Sequence, residues 1–410
     1  MPFVTQADDL FLSPFNADRE VLASMHLPQQ VILNDLTLRE GRQVEGLFVT
    51  PQLMQRVAQE LEDAGIPMLQ LHNTPEHVRA IGSLGLKIRT EVLTSSPTQN
   101  PPFTVAAHKE RIDFIISHGL GLDLCFGTSD QLLLARQVRR GERESVESLR
   151  ERELDAALQS VSFAKGQGGM VGTNLQDFLR ADYDFLRRFC KELAGVGIDL
   201  ITLDDFAGPA VPVVYKHVIH GLKQEFPDIP FGIHVTNDFG LASALVLGAL
   251  EGGAEVLDVG VNGYGERAGH ADLAEVAVAI EMFYGLDSGV PLNGLTGLSQ
   301  RIADMLQLPV PFTKPLVGRN AFADVTDTHY IYESHPWIFR AISPELVGNQ
   351  RRVALAGVSG ATVVQAKATE LGMDLTAEQC EEALPRIRAA LASRPSGVSD
   401  DEFRRLASVD

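Results

Sequence analysis

Short β-rich apolar runs and longer amphipathic runs alternate from residue 31 onward, and this rhythm limits the possible folds more than any other property. The amphipathic runs carry helical spacing, as in 51–64, where apolar residues recur every three or four positions. Eight segments are typical of strands: 31–37, 67–72, 88–93, 122–127, 159–164, 198–205, 231–236 and 256–262. Eight strands separated by helices predict an α/β fold, a parallel (β/α)₈ TIM barrel. A doubly wound sheet is the alternative, but the chain has no early GxGxxG turn.

The alternation stops near residue 290, and this change divides the chain. Proline-containing segments (PVPFTKP and SHPWIFRAISPEL) lead there to two helical stretches near 360–372 and 376–394. We therefore predict an N-terminal segment over 1–30, a catalytic barrel over 31–289 and mainly helical C-terminal subdomains over 290–410.

The charge balance argues against two classes of partner. The 410 residues contain 35 Lys plus Arg and 54 Asp plus Glu, a net charge of −19. A general nucleic-acid or anionic-membrane partner would need a basic face.

The sequence contains no apolar run of membrane-spanning length and no signal peptide, and its three cysteines form no CxxC pair. This is the pattern of a cytoplasmic protein with reduced thiols.

Polar residues cluster where three of the predicted strands end. Strand 1 leads to Arg39 and Glu40, strand 7 ends at His234 and Thr236, and strand 8 ends at Asn262. Such residues singly are often helix caps or satisfied polar groups. Strands 7, 8 and 1 are neighbours in a closed barrel, however, and chemistry lies at the C-terminal ends of barrel strands. Together the oxygen and nitrogen donors predict a site for a divalent cation.

Several motifs carry a specific resemblance. LREGRQ, HVTND and NGYGERAGHADLAEV, in this order, resemble the signatures of the isopropylmalate synthase, homocitrate synthase and HMG-CoA lyase superfamily, the DRE-TIM metallolyases. GRNAF (318–322) and ISPELVG (342–348) are similar to the C-terminal subdomains of the synthase branch. The glutamate of LREG, where most members carry aspartate, is similar to homocitrate synthases.

The resemblance implies roles for individual residues in the barrel. Glu40 and His234 would ligate the metal, with Asn262 in or next to its shell. Arg39 would polarise the substrate carbonyl and stabilise the developing oxyanion beside the metal. Gln43 would line the same pocket.

The resemblance also assigns a role to His329 in the C-terminal region. This histidine matches one that the C-terminal subdomain of a chain contributes to its partner's barrel. It would transfer a proton at the methyl group of acetyl-CoA, the co-substrate. The implied assembly is a domain-crossed homodimer.

The sequence departs from the family at several substrate-facing positions. The family's His-x-His reads His234-Val235-Thr236, which predicts Mg²⁺ or Mn²⁺ rather than Zn²⁺. Phe206 stands where a threonine usually binds the 2-oxo acid carboxylate, and His72 ends strand 2, where it would shape the pocket. The glycine-rich stretch 165–173 is open to three interpretations: a phosphate cradle, a lid or an insertion.

These observations favour a divergent, metal-dependent Claisen-type acyltransferase. It would condense acetyl-CoA with a 2-oxo acid, and the changes around Phe206 predict an unusual acceptor. The alternatives are a lyase or aldolase acting on a 3-hydroxy acid or its CoA thioester, and a non-catalytic barrel that has lost its metal. The strand 8 loop lacks the cysteine typical of HMG-CoA lyases, which argues against a close lyase relative.

Overall fold

The computed structural model describes residues 6–7, 10–99, 104–332, 335–393 and 397–408. The chain divides into two compact units. One contains residues 15–292 and 297–309. The other contains 293–296 and 310–408 together with described residues before position 15.

The first unit is a closed barrel of eight parallel strands. In chain order the strands are β1 (Ile32–Asp35), β2 (Met68–His72), β3 (Arg89–Ser95), β4 (Gly121–Gly127), β5 (Val171–Gln176), β6 (Leu200–Asp205), β7 (Phe231–Val235) and β8 (Val256–Val259). Each strand pairs with the next along the chain. The barrel closes where β8 pairs with β1, with Val256 opposite Ile32 and Val259 opposite Asp35. The predicted TIM barrel is confirmed.

Helices precede, connect and follow the strands, and most of them bury an apolar face. They are Arg19–Ala23, Pro51–Asp63, Pro75–Gly82, Val105–Ser117, Asp130–Arg140, Val146–Gly166, Tyr183–Gly195, Pro212–Glu225, Ala242–Gly252 and Leu273–Tyr284, followed by Leu295–Leu306. Their starts follow local chemistry. Thr50 and Ser129, for example, accept backbone N–H bonds at the first turns of two helices.

The prediction for strand 5 was wrong. Residues 159–164 lie inside the helix Val146–Gly166, and β5 begins at Val171. The run QSVSFA contains β-branched and aromatic residues, but Ala157, Val161 and Ala164 continue one buried helical face. The stretch 165–173 spans the end of that helix and the start of β5, at the end of the barrel opposite the strand C-termini. Its three interpretations stay predictions.

The barrel interior is apolar at one level and polar above it. Met68, Leu200 and Val256, from three different strands, form a buried cluster with Ile32 against it. Residues from distant strands can meet in this way only inside the barrel. Closer to the strand C-termini, polar side chains line the barrel interior. They form a polar surface at the face where barrel enzymes carry their active sites.

The second unit is mainly helical, as predicted for the C-terminal region. Its helices are Asp327–Ile331, Ala361–Glu370, Ala377–Ser393 and Asp400–Ala407. Val364, Cys380, Leu384, Ile387 and Phe403 are among the residues of its core. A short parallel pair joins Ala323–Asp324 to Arg352–Val353. In the described parts of the chain, no helix combines the length and apolarity needed to cross a membrane.

Candidate active site

The turn after β1 places two of the predicted site residues. Asp35 accepts hydrogen bonds from the backbone N–H and the hydroxyl of Thr37, at 2.9 and 3.1 Å. The Thr37 hydroxyl in turn accepts the N–H of Val261 at 3.0 Å, which ties this turn to the loop after β8. Burial raises the pKa of Asp35 to about 7. The turn delivers Arg39 and Glu40, both 5% exposed, to the C-terminal mouth of the barrel.

Arg39, Glu40 and His234 lie in contact. The guanidinium of Arg39 forms an ion pair with Glu40, and its Nη1 lies 3.2 Å from Nε2 of His234. Oε1 of Glu40 lies 3.9 Å from the same imidazole nitrogen. Burial opposes ionisation of Glu40, but Arg39 and His234 outweigh it and hold its pKa at about 2. Glu40 is therefore an anion at neutral pH.

A second carboxylate fixes the orientation of His234. Nδ1 of His234 lies 3.2 Å from Oδ2 of Asp258, whose other oxygen accepts from Asn34 at 2.8 Å. When the imidazole is neutral, Nδ1 donates to this carboxylate, so that Nε2 carries the lone pair that faces Arg39 and Glu40. Burial lowers the pKa of His234, but Asp204 and Asp258 outweigh it and raise that pKa above its ordinary value.

His270 is a second buried imidazole beside this group. Its ring centroid lies 6.3 Å from that of His234. Within the described chain, neither ring nitrogen has a hydrogen-bond partner of standard geometry. Glycine makes room for the ring: a Cβ on Gly260 would lie 2.6 Å from its Nε2, and one on Gly265 would lie 2.7 Å from its Nδ1. Burial lowers the pKa of His270 to about 4, so the ring is neutral.

Thr236 and Phe206 belong to a polar clamp at the rim. The Thr236 hydroxyl donates to Asp238 at 2.6 Å, and Asp238 accepts from Nε of Arg267 at 2.9 Å. Arg267 also donates to the backbone oxygen of Phe206 at 2.7 Å. The half-buried Phe206 ring is stacked by the guanidinium of Arg180, 5.8 Å from its centroid. The clamp joins the loops after β6, β7 and β8.

The other predicted barrel residues lie outside the contact between Arg39, Glu40 and His234. The amide of Asn262 is engaged by Ser299, donating to its carbonyl at 3.1 Å and accepting from its hydroxyl at 2.5 Å. Gln43 is exposed in a short 3₁₀ helix, Gly41–Gln43. His72 ends β2 and is half-buried, and burial, with the charges of Arg39 and Arg42, lowers its pKa to about 3.

His329 lies in the second unit in a cluster of its own. Its Nδ1 lies 2.7 Å from Oδ1 of Asp324, and its ring centroid lies 4.4 Å from that of Phe339. Asp324 also accepts from Arg340 and, at 2.6 Å, from Arg351. A carboxylate that orients an imidazole through Nδ1 leaves Nε2 for proton transfer.

Sequence reasoning missed the residues that support the predicted ones. Asp258, Asp204 and Asp324 lie inside or beside short strands, where their sequence context resembles an ordinary β-run. His270 lies near the start of the helix Leu273–Tyr284, a position typical of a cap, but Asp272 caps this helix by accepting the N–H of Glu275. Alternate residues of β6 and β8 face the barrel interior, and this alternation was the available signal for Asp204 and Asp258.

The donor set can be compared with the needs of a divalent cation. Over the residues that the structure describes, no three His, Cys, Asp or Glu side chains are arranged to hold a metal ion. Glu40 and His234, however, present one anionic oxygen and one lone-pair nitrogen 3.9 Å apart. Mg²⁺ is commonly held by one or two protein ligands, and water and substrate complete its shell. The pair fits a cation of that kind.

Comparison with known proteins gives consistent relatives. A family model described as HMGL-like matches residues 30–302. Homocitrate synthase AksA of Methanopyrus kandleri is 30% identical over 395 residues, which cover 95% of this chain and 94% of the relative. The 2-isopropylmalate synthase of Methanocaldococcus jannaschii is 29% identical, over 95% of this chain and 73% of the relative.

Two further comparisons concern another synthase and a solved structure. The (R)-citramalate synthase CimA of Methanocaldococcus jannaschii is 29% identical over 86% of this chain and 70% of the relative. Among solved structures, the HMG-CoA lyase of Bacillus subtilis superposes with a TM-score of 0.57 at 18% identity, covering 72% of this chain and 98% of that one. At this identity the structural likeness concerns the fold alone.

Proposed function

Because the chain belongs to the HMGL-like family, on its synthase branch, we propose that it is a divalent-metal-dependent Claisen-type acyltransferase that condenses acetyl-CoA with a 2-oxo acid. The observation that carries the proposal is the buried contact of Arg39 and Glu40 with His234 at the C-terminal mouth of the barrel. The relatives named as homocitrate, isopropylmalate and citramalate synthases support the reaction class.

Glu40 and His234 would hold the cation in this proposal. A bound divalent cation would polarise the keto oxygen of the 2-oxo acid as a Lewis acid. Glu40 is suited to the task because it is ionised. His234 is suited because Asp258 accepts from Nδ1 of the neutral imidazole, which leaves the Nε2 lone pair for a cation in place of the N–H of Arg39. Oxygen ligands from substrate and water would complete a shell that suits Mg²⁺ or Mn²⁺ better than Zn²⁺.

Arg39 supplies positive charge where negative charge develops. Its guanidinium is buried, and the charge of Glu40 keeps its pKa above the ordinary value even though burial lowers it. A fixed cation in a site that excludes water stabilises an oxyanion without reorganising during the reaction. Arg39 would therefore stabilise the alkoxide that forms when the acetyl-CoA carbanion attacks the keto carbon.

His329 would remove the proton from the acetyl-CoA methyl group. In this proposal it comes from the C-terminal unit of a second copy, in a domain-crossed homodimer. Asp324 accepts from its Nδ1, so its Nε2 is the atom that takes the proton. Hydrolysis of the thioester then releases CoA and makes the condensation irreversible.

A non-catalytic barrel is the second candidate. One observation favours it: in the part of the chain that the structure describes, His, Cys, Asp and Glu side chains provide no three-membered metal site. Metal content separates the two functions. Stoichiometric Mg²⁺ or Mn²⁺ in protein purified without chelators supports the enzyme, and protein without cation that also fails to take it up supports the binder.

Thiol release from acetyl-CoA tests the proposal directly. The protein is assayed with a panel of 2-oxo acids, with Mg²⁺, Mn²⁺ or Zn²⁺ and with an EDTA control. We expect metal-dependent release with at least one acid and its loss in His329→Ala. The matched control is His217→Ala, on the exposed side of the helix Pro212–Glu225, which should retain activity. Silence across the panel with folded, metal-loaded protein would refute the acyltransferase.

A further inference from the structure

Asn174 carries a buried amide that lacks hydrogen-bond partners in the part of the chain that the structure describes. Its side chain is fully buried on β5, and among the described residues neither Oδ1 nor Nδ2 has a hydrogen-bond partner. Native proteins rarely leave such groups unsatisfied, because each one forfeits its bonds to water. An amide that keeps this cost is typical of a position that meets a ligand.

The direction of the Asn174 side chain follows from strand parity. A Cβ on Gly172, two residues earlier, would lie 3.7 Å from Cβ of Leu200 and 3.6 Å from Oε2 of Glu91. Leu200 belongs to the apolar cluster that fills the barrel interior. Because alternate residues of a strand share a face, Asn174 also faces the interior. It lies two residues nearer to the catalytic mouth than Gly172.

Asp204 faces the same interior from the neighbouring strand. It shares the face of Leu200 on β6, and in the strand register it stands beside His234 of β7. It is 1% exposed. Its Oδ2 lies at a long distance, 3.5 Å, from Nε2 of Gln176. Its Oδ1 has no partner in the described chain.

The local charges define what these two residues can bind. Four buried carboxyl groups, those of Glu40, Asp123, Asp204 and Asp258, lie near the single guanidinium of Arg39. Burial raises the pKa of Asp204, whereas Arg39 and a bound divalent cation would favour its ionised form, and the carboxylate next to the keto group of the substrate would add a further negative charge. A second carboxylate placed against Asp204 would meet repulsion at low dielectric. A hydroxyl, amide or amine would instead supply the missing donor.

We propose that Asp204 and Asn174 form the subsite that selects the 2-oxo acid, by binding a hydrogen-bond-donating group at its distal end and rejecting a second carboxylate there. This inference rests on the proposed function for the identity of the substrate as a 2-oxo acid. Asp204 accepts a hydrogen bond from the distal group, and the Asn174 amide supplies one further donor and one further acceptor. The presence of Phe206 at the rim is consistent with a ligand that presents less anionic charge.

Four five-carbon acids that differ only at the distal end provide the test. They are 2-oxopentanoate (methyl), 5-hydroxy-2-oxopentanoate (hydroxyl), 2-oxoglutaramate (amide) and 2-oxoglutarate (carboxylate). Binding to the metal-loaded protein is measured by calorimetry without acetyl-CoA, and thiol release is measured separately. We expect the hydroxyl or amide acid to bind about tenfold or more tightly than the methyl acid, because hydrogen bonds to charged groups have this strength. 2-Oxoglutarate should bind least tightly.

Two variants separate recognition from a structural role. Asp204→Asn should strengthen 2-oxoglutarate binding about tenfold and leave 2-oxopentanoate unchanged. Asn174→Leu, of similar volume and without polar atoms, should abolish the preference for a distal donor while raising the denaturation midpoint. Glu91→Gln is the control, since it removes an interior carboxylate that is paired with Arg89 near the opposite end of the barrel. It should leave the order of the four acids unchanged.

Each outcome decides the inference. Tightest binding of 2-oxoglutarate, equal binding of all four acids, binding of none, or an equal loss for all four in Asp204→Asn would overturn it. Equal binding would mean that only water fills the subsite. The two proposals fail separately. Thiol release with 2-oxoglutarate alone keeps the acyltransferase and removes the subsite. Selective binding without thiol release does the reverse.

Discussion

Replacing Asp258 by asparagine tests whether this carboxylate sets the tautomer of His234. The exchange preserves side-chain shape and removes the acceptor that faces Nδ1 of His234 at 3.2 Å. An asparagine amide can instead donate to Nδ1. The proton then moves to Nε2, where it faces Arg39 and removes the lone pair that a cation needs.

The size of the effect follows from burial. His234 is 2% exposed and Asp258 is 1% exposed, so water cannot replace the lost acceptor. Loss of such an outer partner typically costs about 10–100-fold in metal affinity or activity. This corresponds to about 1.4–2.8 kcal/mol, because each factor of ten is about 1.4 kcal/mol. We expect Asp258→Asn to weaken Mn²⁺ binding within that range.

Two measurements check the prediction. Calorimetric titration with Mn²⁺ gives the affinity, and ¹⁵N chemical shifts of the imidazole report the tautomer without requiring activity. Asn34→Ala serves as the matched control. It removes the other partner of Asp258, at 2.8 Å, without touching the imidazole, and should weaken binding less than tenfold.

A double-mutant cycle identifies the cause. In a His234→Ala background, Asp258→Asn should produce little additional loss, because the imidazole through which it acts is absent. Equal losses in both backgrounds would refute the reasoning, as would an Asp258→Asn protein with unchanged affinity and an unchanged tautomer.

Three further predictions concern stability. Glu153→Gln should lower the free energy of unfolding by about 3–5 kcal/mol in denaturant titrations. The change leaves the buried guanidinium of Arg136 without its counter-charge, at a position where Glu153 is 1% exposed. A loss below 1 kcal/mol would contradict this. Burial raises the pKa of Glu91 from 4.5 to about 7, so the folded state holds a proton that the unfolded state has lost, and stability should fall as pH rises from about 4.5 to 7; Glu91→Gln should reduce that slope, and an identical slope would refute the assignment. Gly260→Ala should destabilise by about 1–3 kcal/mol through overlap with His270, whereas Gly166→Ala, with open space at its Cβ, should not; equal midpoints for the two variants would exclude the overlap.

The barrel was predictable because its signal is local. Seven of the eight predicted strands overlap observed ones. The reason is that β-rich runs and helical spacing depend only on residues close together in the sequence. The exception, 159–164, shows the limit of such signals. A short apolar run is compatible with either a strand or a buried helix, and here the buried face of Val146–Gly166 continues through it.

The site was predictable only in part. Arg39, Glu40 and His234 carry recognisable motifs, and the structure places them in contact. The hydrogen bonding of Asn262 could not be predicted, because its amide binds Ser299, which lies 37 residues away. The support of His234 by Asp258 was equally hidden, since nothing in either local sequence records which strands become neighbours.

The sequence by itself determined the alternation of strands and helices, the family motifs and the acidic balance, because each is a property of residue identity and short-range spacing. Only the tertiary structure decided which buried groups find partners. Asn174 and Asp204 are ordinary strand residues in the sequence. They become a candidate subsite because closure of the barrel removes them from water and leaves the amide of Asn174 and Oδ1 of Asp204 without partners among the described residues. Desolvation and hydrogen-bond satisfaction depend on segments far apart in the chain, and neither exists until those segments meet.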